Sequence, residues 1–389
     1  MVQIPKLSRR ARWALPAAAL VITGGVIAGS LISVAQAAPG LPARTPAQLL
    51  AQVADSHTPP LTGTVVETAS FGLPRLPGAQ NPTSLASLLT GSHTLRVWYA
   101  GPEHFRLAVP ESLSETDLFR DGSTAWLWES TANSVTEFSL PAQKETPPTP
   151  PVPALTPQQA AQQVLAAVGK TTVVRVDRNV MVADQAAYQL VLAPKDSRSL
   201  VGRVQIAVDG QNGVPLRVQV FARGATSPAF QVGYTLIQFV PPSPGDVNFT
   251  PPPGAKVTKA NLTGGQTAGP SRDTGNVSTY GSGWLTVLDL PSSGLTSGAS
   301  PAGGPVSIGN SAGDSGEVLN ALLGSATQVS GSWGSGRLLR TSLISALITS
   351  NGRLFVGAVQ PSVLYAAAAQ AALAPQGAAS PASSPAATP

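Results

Sequence analysis

From Leu61 onward, the chain is a succession of short segments in which apolar and polar residues alternate with a period of two. This period is the pattern of a β-strand that buries one face. Turn-forming pairs such as Gly101-Pro102 and Asp121-Gly122 separate the segments. The regular spacing predicts an antiparallel meander. Its predicted strands are Leu61–Ser70, His93–Tyr99, His104–Val109, Asp117–Phe119, Thr124–Glu129 and Ser134–Leu140.

A second group of predicted strands follows a proline-rich segment, residues 144–156, which cannot enter a strand ladder and should run extended. These strands are Thr171–Asp177, Ala187–Ala193, Leu200–Asp209, Val214–Arg223 and Phe230–Val240. The loop Gly210-Gln211-Asn212-Gly213 predicts a hairpin between two of them. Two amphipathic helices are also predicted, Thr45–Ser56 and a segment from Thr156 to Gly169, each with proline at its first position.

The C-terminal part has a different pattern. Residues 264–282 are polar and glycine-rich and are interpreted as a linker, so the part before them forms a domain over residues 38–263. Residues 283–373 predict a small α+β domain, and residues 374–389, of low complexity, are expected to be disordered. The predicted elements of the small domain are the strand Trp284–Leu290, the helix Gly316–Leu323, a hairpin of Leu338–Ile348 with Arg353–Val359, and the helix Ser362–Ala372.

The first 37 residues have the order of a secretory signal. Basic residues precede an apolar run, Trp13–Val34, and the small-residue sequence Ala35-Gln36-Ala37 resembles a cleavage site. The run is also long enough to span a bilayer if it is not cut, which would anchor the chain at the outer face of the cytoplasmic membrane. Both alternatives place the residues after Ala37 outside the cytoplasm, in a secreted or a tethered protein.

Charge and composition exclude several function classes. The chain has 24 basic and 19 acidic residues, but four of the basic residues lie in the first 37, so the remainder is almost neutral. No basic cluster predicts a nucleic-acid partner. The absence of cysteine excludes disulfides and thiolate chemistry. The three histidines, His57, His93 and His104, have no metal-ligand spacing and are interpreted as isolated strand-end or loop residues, although a hydrolytic His–Asp pair stays open.

One motif has the form of a hydrolase nucleophile. Gly309-Asn310-Ser311-Ala312-Gly313 matches G-x-S-x-G, but that mechanism needs a histidine later in the chain, and none follows His104. A glycine-rich loop is the simpler interpretation. We therefore expect no enzyme, no cofactor and no metal.

The segments SLVGRVQIAVDGQNGVPLRVQVFARG, PAFQVGYTLIQF and FTPPPGAKV resemble the last strands of the LolA-like lipoprotein-carrier superfamily. In that family a strand ends in a D-x-x-x-G-x-P-L-R hairpin and the final strand closes on F-x-P-P-x-G. The matching residues are Asp209, Gly213, Pro215, Leu216, Arg217, Phe249, Pro251, Pro252 and Gly254. The resemblance covers about residues 45–260 and is greatest to exported LolA-like proteins of high-GC Gram-positive bacteria, some of which carry a C-terminal extension.

The resemblance implies an α+β fold: a curved antiparallel incomplete β-barrel with helices on its concave face, here followed by the small C-terminal α+β unit. It implies a non-enzymatic protein that binds a lipid, an acyl chain or a lipoprotein between sheet and helices. The alternative is a regulatory protein of the RseB/MucB branch, which docks a membrane-bound anti-sigma factor or another membrane partner.

The aromatic strands are the candidate site. Trp126 and Trp128 must share one face of their strand, and that face is either ordinary core or the wall of an apolar cavity. The resemblance favours the cavity, with both tryptophans facing the helices. The predicted lining residues are Leu95, Val97, Tyr99, Phe105, Leu107, Trp126, Trp128, Leu190, Leu192, Val204, Ile206, Val208, Phe230, Val232 and Tyr234.

Overall fold

The computed structural model describes residues 40–55, 57–73, 90–111, 113–140, 156–157, 169–261, 277–291, 322 and 324–373. Several predictions fall outside these residues: the N-terminal segment, the proline-rich segment, most of the helix from Thr156, the G-x-S-x-G motif, most of the helix Gly316–Leu323 and the tail. Within the described part, no helix has the length and apolar character needed to cross a membrane.

The main element is a large, curved, open antiparallel sheet of twelve strands, as the fold class predicted. Its order is β12-β6-β5-β4-β3-β2-β1-β11-β10-β9-β8-β7, and only β12 runs parallel to its neighbour, β6. The strands are β1 Leu61–Ser70, β2 Thr90–Gly101, β3 His104–Pro110, β4 Glu115–Asp121, β5 Thr124–Glu129, β6 Ser134–Ser139, β7 Thr172–Val182, β8 Gln185–Pro194, β9 Val201–Asp209, β10 Pro215–Ala222, β11 Phe230–Gln238 and β12 Lys256–Asn261.

Two local meanders, β1 to β6 and β7 to β11, meet at the pair β1–β11. Thr62 pairs with Gln238 at one end of this seam and Ala69 with Phe230 at the other, with a bulge after Thr64. Glycine is required beside the bulge, because a Cβ at Gly63 would lie 2.9 Å from the ring of Tyr234. The seam makes one sheet of two halves that are distant in sequence.

The concave face of the sheet is the face that carries helix α1, Pro46–Asp55. The edge strand β7 curls back far enough to contact β11, and its apolar side chains join the same core as α1. Thr45 caps the helix: its hydroxyl accepts a hydrogen bond from Gln48 N (3.2 Å), and Gln48 Oε1 accepts one from Thr45 N (2.8 Å). The helix buries Leu49 and Val53 against the sheet.

The connection from β11 to β12 crosses the opposite, outer face of the sheet. It contains the short helix α2, Pro244–Val247, which contacts β2, β3 and β4. Phe249 packs on Phe119, with ring centroids 4.6 Å apart. The chain then reaches the far edge, where β12 pairs with β6. This crossing ties the middle of the sheet to its edge.

A second sheet of six strands has the order β13-β14-β18-β17-β16-β15 and is packed against helix α3. Leu364, Ala367 and Ala368 are the buried residues of α3, and Tyr365 stacks on Trp333. The elements are β13 Ser278–Tyr280, a 3₁₀ turn Gly283–Leu285, β14 Val287–Pro291, β15 Thr327–Gly331, β16 Gly334–Arg340, β17 Ser345–Thr349, β18 Arg353–Gly357 and α3 Pro361–Leu373.

The sequence predictions differ from the two sheets at several points. The strand predicted over Leu338–Ile348 is wrong as one element, because a turn at residues 341–344 divides it into β16 and β17. Thr341 makes that turn: its hydroxyl accepts a hydrogen bond from Ile344 N at 2.9 Å. Strand β13 lies inside the segment interpreted as a linker. β12 and β15 were not predicted, since neither has a clear alternation.

The two sheets are joined by backbone hydrogen bonds and by apolar contacts. Leu200 N donates to Ala358 O at 2.9 Å, and Ser342 N donates to Phe71 O at 2.9 Å. Leu343 and Ile344, in the turn between β16 and β17, are buried in the core of the large sheet. The small sheet therefore closes one end of the concave face.

Candidate ligand-binding site

The concave face brings together the predicted lining residues, with the exception of the two tryptophans. The strand register shows how: Leu95 lies opposite Val65, and Leu190 lies opposite Ile206. Tyr99 and Phe105 are half-buried and the others are buried. The residues on this face are Leu95, Val97, Tyr99, Phe105, Leu107, Leu190, Leu192, Val204, Ile206, Val208, Phe230, Val232 and Tyr234. Their role in binding stays a prediction.

The orientation predicted for Trp126 and Trp128 is wrong, because both lie on the outer face. On β5 it is Ala125 and Leu127 that share the concave face, where Leu127 pairs with Leu118. The two tryptophans are half-buried, and Trp126 lies 5.8 Å from the ring of Phe249. The physical reason is that the β11–β12 connection supplies an apolar cover for the outer face, so a bulky pair can be sheltered there.

Helix α1 and the segment before it cover one end of the concave face. The Tyr188 hydroxyl donates a 2.7 Å hydrogen bond to the carbonyl oxygen of Pro42, and the Arg44 guanidinium lies 5.4 Å from the centre of the Tyr188 ring. Leu49 is fully buried, and Leu50 packs on the same cluster at its margin. The cover at this end therefore consists of apolar contacts from Leu49, Leu50 and Val53, with a few polar contacts in the segment before the helix.

Two buried polar residues lie opposite each other on the mainly apolar concave face. Glu67 on β1 is 1% exposed and pairs across the strands with His93 on β2, which is 7% exposed. His93 is therefore in mid-strand, and its interpretation as a strand-end or loop residue is wrong. The sequence indicated that Glu67 lies on this face, since Glu67 has the same parity along β1 as Val65 and Ala69. A carboxylate and an imidazole here can orient the polar part of an otherwise apolar ligand.

Burial favours the neutral form of two phenols on this face. Burial raises the pKa of Tyr234, and to a smaller extent that of Tyr99, above the ordinary value. Neither phenol is a base at neutral pH. The face therefore offers apolar contact and hydrogen bonding without a titrating tyrosine.

The outer face has a charged cluster that the sequence did not indicate. Arg106 Nη2 lies 2.6 Å from Asp117 Oδ2 and 3.3 Å from Glu115 Oε1. The guanidinium also lies over the rings of Trp98 and Phe119, at 4.7 and 5.0 Å. Burial, and then the negative charge of Glu115, raise the pKa of Asp117 to about 7 against the opposing effect of Arg106.

The remaining candidate chemistry is sparse. His104 Nδ1 lies 3.0 Å from Asp121 Oδ1, but both side chains are about half exposed, and no nucleophile has been placed beside them. Among the described residues, no group of three or more histidine, cysteine, aspartate or glutamate side chains is arranged to hold a metal ion. What the described residues of the concave face offer is mainly apolar surface.

No family model matches the chain, and no curated protein is similar in sequence. Solved structures with a similar fold include the complex of MucA and MucB from Pseudomonas aeruginosa, at 12% identity over 83% of this chain and 96% of that chain, with a TM-score of 0.41. They also include an uncharacterized conserved protein from Thermus thermophilus, at 12% identity over 55% and 98%, with a TM-score of 0.31. A LolA superfamily protein from Nitrosomonas europaea is similar at 12% identity over 53% and 99%, with a TM-score of 0.21.

Proposed function

We propose that this chain is an exported, non-enzymatic protein that binds the acyl chain of a lipid or lipoprotein on its concave face. One observation carries the proposal: apolar side chains from both halves of the large sheet form a continuous concave surface with a small helix as the cover at one end. The export signal at residues 1–37 brings that surface to the membrane exterior, where acyl chains are available.

Helix α1 is a cover that an acyl chain can replace. The helix buries two side chains fully, Leu49 and Val53, which together contribute about 3–6 kcal/mol. An acyl chain gains about 0.8 kcal/mol for each methylene removed from water, so roughly eight methylenes offset the loss of both contacts. The rest of the sheet keeps its hydrogen-bonded ladder when α1 moves. Exchange of the helix for a ligand is therefore nearly balanced in free energy.

The other end of the concave face is closed more firmly. Leu343 and Ile344 are inserted from the small sheet, which is itself held by backbone hydrogen bonds to Leu200, just before β9, and to Phe71, just after β1. A ligand that enters from the α1 end would stop at this turn. Glu67 and His93 lie between the two ends and would meet the ester, amide or hydroxyl groups of the ligand.

A reversible crosslink tests the proposal. Gln52 on α1 and Gly213 are close: a Cβ at Gly213 would lie 2.7 Å from Gln52 Cγ. The chain contains no cysteine, so the double variant Gln52→Cys/Gly213→Cys has a single possible intramolecular disulfide, and a non-reducing gel separates it from disulfide-linked dimers. We expect the reduced variant to take up a fluorescent fatty acid, and the oxidised form to lose at least about tenfold in affinity because α1 is held in place.

The reduced form of the same protein is the control, and Gly213→Cys alone measures the strain of a side chain at φ +73°. Equal uptake by the oxidised and reduced forms would show that α1 is not the cover. A mass-spectrometric extract of the purified full chain should contain lipid. An extract without lipid, together with no probe uptake, would refute acyl binding and favour the alternative, docking of an anti-sigma factor or other membrane protein.

A further inference from the structure

A pocket of about 300 Å³ lies where the small sheet meets the edge of the large one. One wall is a face of α3 and another is the segment from β13 to β14; the rim comes from the start of β7 and the loop between β8 and β9. None of the concave lining residues borders it. Its size is at the lower end of the range for small-molecule sites.

The two walls are mainly apolar. Val363, Ala366 and Ala367 face the pocket from successive turns of α3, and Trp284 and Leu285 face it from the 3₁₀ turn. The indole of Trp284 is fixed, because its Nε1 donates a 2.8 Å hydrogen bond to Thr172 Oγ1 on β7. The exposed position of Ala366 on this wall leaves room for an apolar group. The pocket therefore fits a short alkyl chain.

The rim carries an excess of positive charge. Arg198 and Asp196 line it and are paired at 2.7 Å, and Arg223 Nη2 donates to the carbonyl oxygen of Asp196 at 3.0 Å. Lys195 and Lys170 are chain neighbours of rim residues, and Lys195 Nζ donates to the Lys170 carbonyl oxygen at 2.8 Å. These five side chains provide four cations and one anion.

Arg198 has donors left for a ligand. It binds Asp196 through Nε and Nη2, which leaves Nη1 without a partner among the described residues. The pairing with Arg198 lowers the pKa of Asp196 to about 2, so the carboxylate stays ionised and holds the guanidinium at the rim. An anionic group above the alkyl site can therefore use Nη1 while the ion pair stays intact.

We infer that this junction pocket binds an anionic amphiphile: a carboxylate or phosphate group at the basic rim, with a short alkyl chain between α3 and Trp284. The site is separate from the concave face and goes beyond the proposed function. Two sources share this chemistry, a free fatty acid and a lipid phosphate, and the head group of the probe distinguishes them.

Calorimetric titration of the purified full chain with three probes tests the inference. Decanoate, decyl phosphate and decanol have the same alkyl chain and differ in the head group. We expect one or both of the anionic probes to bind at least about tenfold more tightly than decanol. Preference for decanoate indicates a fatty acid, and preference for decyl phosphate a lipid phosphate. Equal binding of all three would overturn the charge assignment.

Matched variants locate the binding site. Ala366→Phe fills the pocket from an exposed position of α3, and Ala372→Phe makes the same change on the same helix outside it. We expect Ala366→Phe to weaken the anionic probes about tenfold or more, and Ala372→Phe to have no effect. Binding elsewhere, including to the first 37 residues, would appear equally in both. Equal binding by the two variants would overturn the inference.

A second pair of matched variants tests the charged contact at the rim. Arg198→Gln removes the rim guanidinium, and Arg175→Gln removes another exposed arginine that is paired with an aspartate two residues away. We expect Arg198→Gln to reduce the preference for the anionic probe over decanol by several-fold, and Arg175→Gln to leave it unchanged. An unchanged preference in Arg198→Gln would show that Arg198 does not hold the head group. Failure of the α1 crosslink test leaves these outcomes unaffected, because α1 does not border this pocket.

Discussion

The concave face of the large sheet and the part of its outer face over β2 to β5 are both sheltered from water, but by different chemistry. The concave face is covered by aliphatic contacts, with α1 at one end and the Leu343–Ile344 turn at the other. On the outer face over β2 to β5, the Arg106–Asp117 ion pair lies among aromatic rings, and Phe249 covers part of this surface. Aliphatic contacts have no required direction, whereas an ion pair stacked on aromatic rings needs a specific geometry. We therefore expect the concave cover to be replaceable and the outer cover to be fixed.

The largest expected difference between the faces is in the cost of losing a leucine. Leu190 is fully buried on the concave face, and Leu236, on the outer face of β11, is 55% exposed. We expect Leu190→Ala to lower the free energy of unfolding by about 2–5 kcal/mol, because it leaves a cavity. Leu236→Ala should change it by less than about 0.5 kcal/mol. Urea denaturation of both variants checks this, and similar losses would show that the two faces are equally packed.

A smaller effect is expected from titration of the outer face. The folded-state pKa of Asp117, about 7, lies above its ordinary value of 3.8. The folded protein therefore binds more protons than the unfolded chain between these values, and this group makes the free energy of unfolding fall as pH rises from about 4 to 7. We expect a fall on the order of 2 kcal/mol, about half of the full shift, because nearby charges and solvent screen the carboxylate.

Asp117→Asn should remove that dependence, since the amide keeps the shape and can still accept from Arg106. Asp121→Asn is the matched control, with the same change at an exposed aspartate of the same strand. Urea midpoints from pH 4 to pH 8 give the measurement. If wild type and Asp117→Asn have parallel profiles, the outer carboxylate is not the titrating group.

The smallest effect is expected at the cover of the outer face. Phe249 is half-buried against Phe119 and Trp126, so Phe249→Ala should cost about 1–2 kcal/mol, less than a fully buried ring. The change should also speed hydrogen exchange of β12, which follows Phe249 in the chain and depends on the crossing for its position. Phe249→Leu, which keeps an apolar side chain, is the control. Unchanged exchange in Phe249→Ala would show that β12 is held by β6 alone.

Most strands of the large sheet were predictable because alternation and turn residues are local signals. Their order was not, because the pairing of β1 with β11 and of β12 with β6 depends on contacts between distant segments. The turn at Thr341 was hidden for a related reason: one side chain to backbone hydrogen bond interrupts an otherwise apolar run.

The residues of the candidate site were predictable only in part, because alternation is a local signal. A period of two places side chains in two sets but does not say which set faces inward. On most strands the apolar set is unambiguous. On β5 both sets are apolar, Ala125 and Leu127 against Trp126 and Trp128, and size suggested the wrong one. The parity of Glu67 places it with Val65 and Ala69, although a charged residue is usually found at an exposed position. The Arg106–Asp117 cluster needs three strands in register, which no local signal specifies.

The seam between β1 and β11 has a consequence for how the chain acquires its structure. Both meanders consist of neighbouring hairpins, which form quickly, whereas the seam joins residues near positions 62 and 238 and must wait for a large loop to close. Until β11 arrives, β1 is an open edge and each half of the concave face is uncovered. Chains that end before Phe230 should therefore aggregate, and assembly of the concave surface is expected to be the slow step of folding.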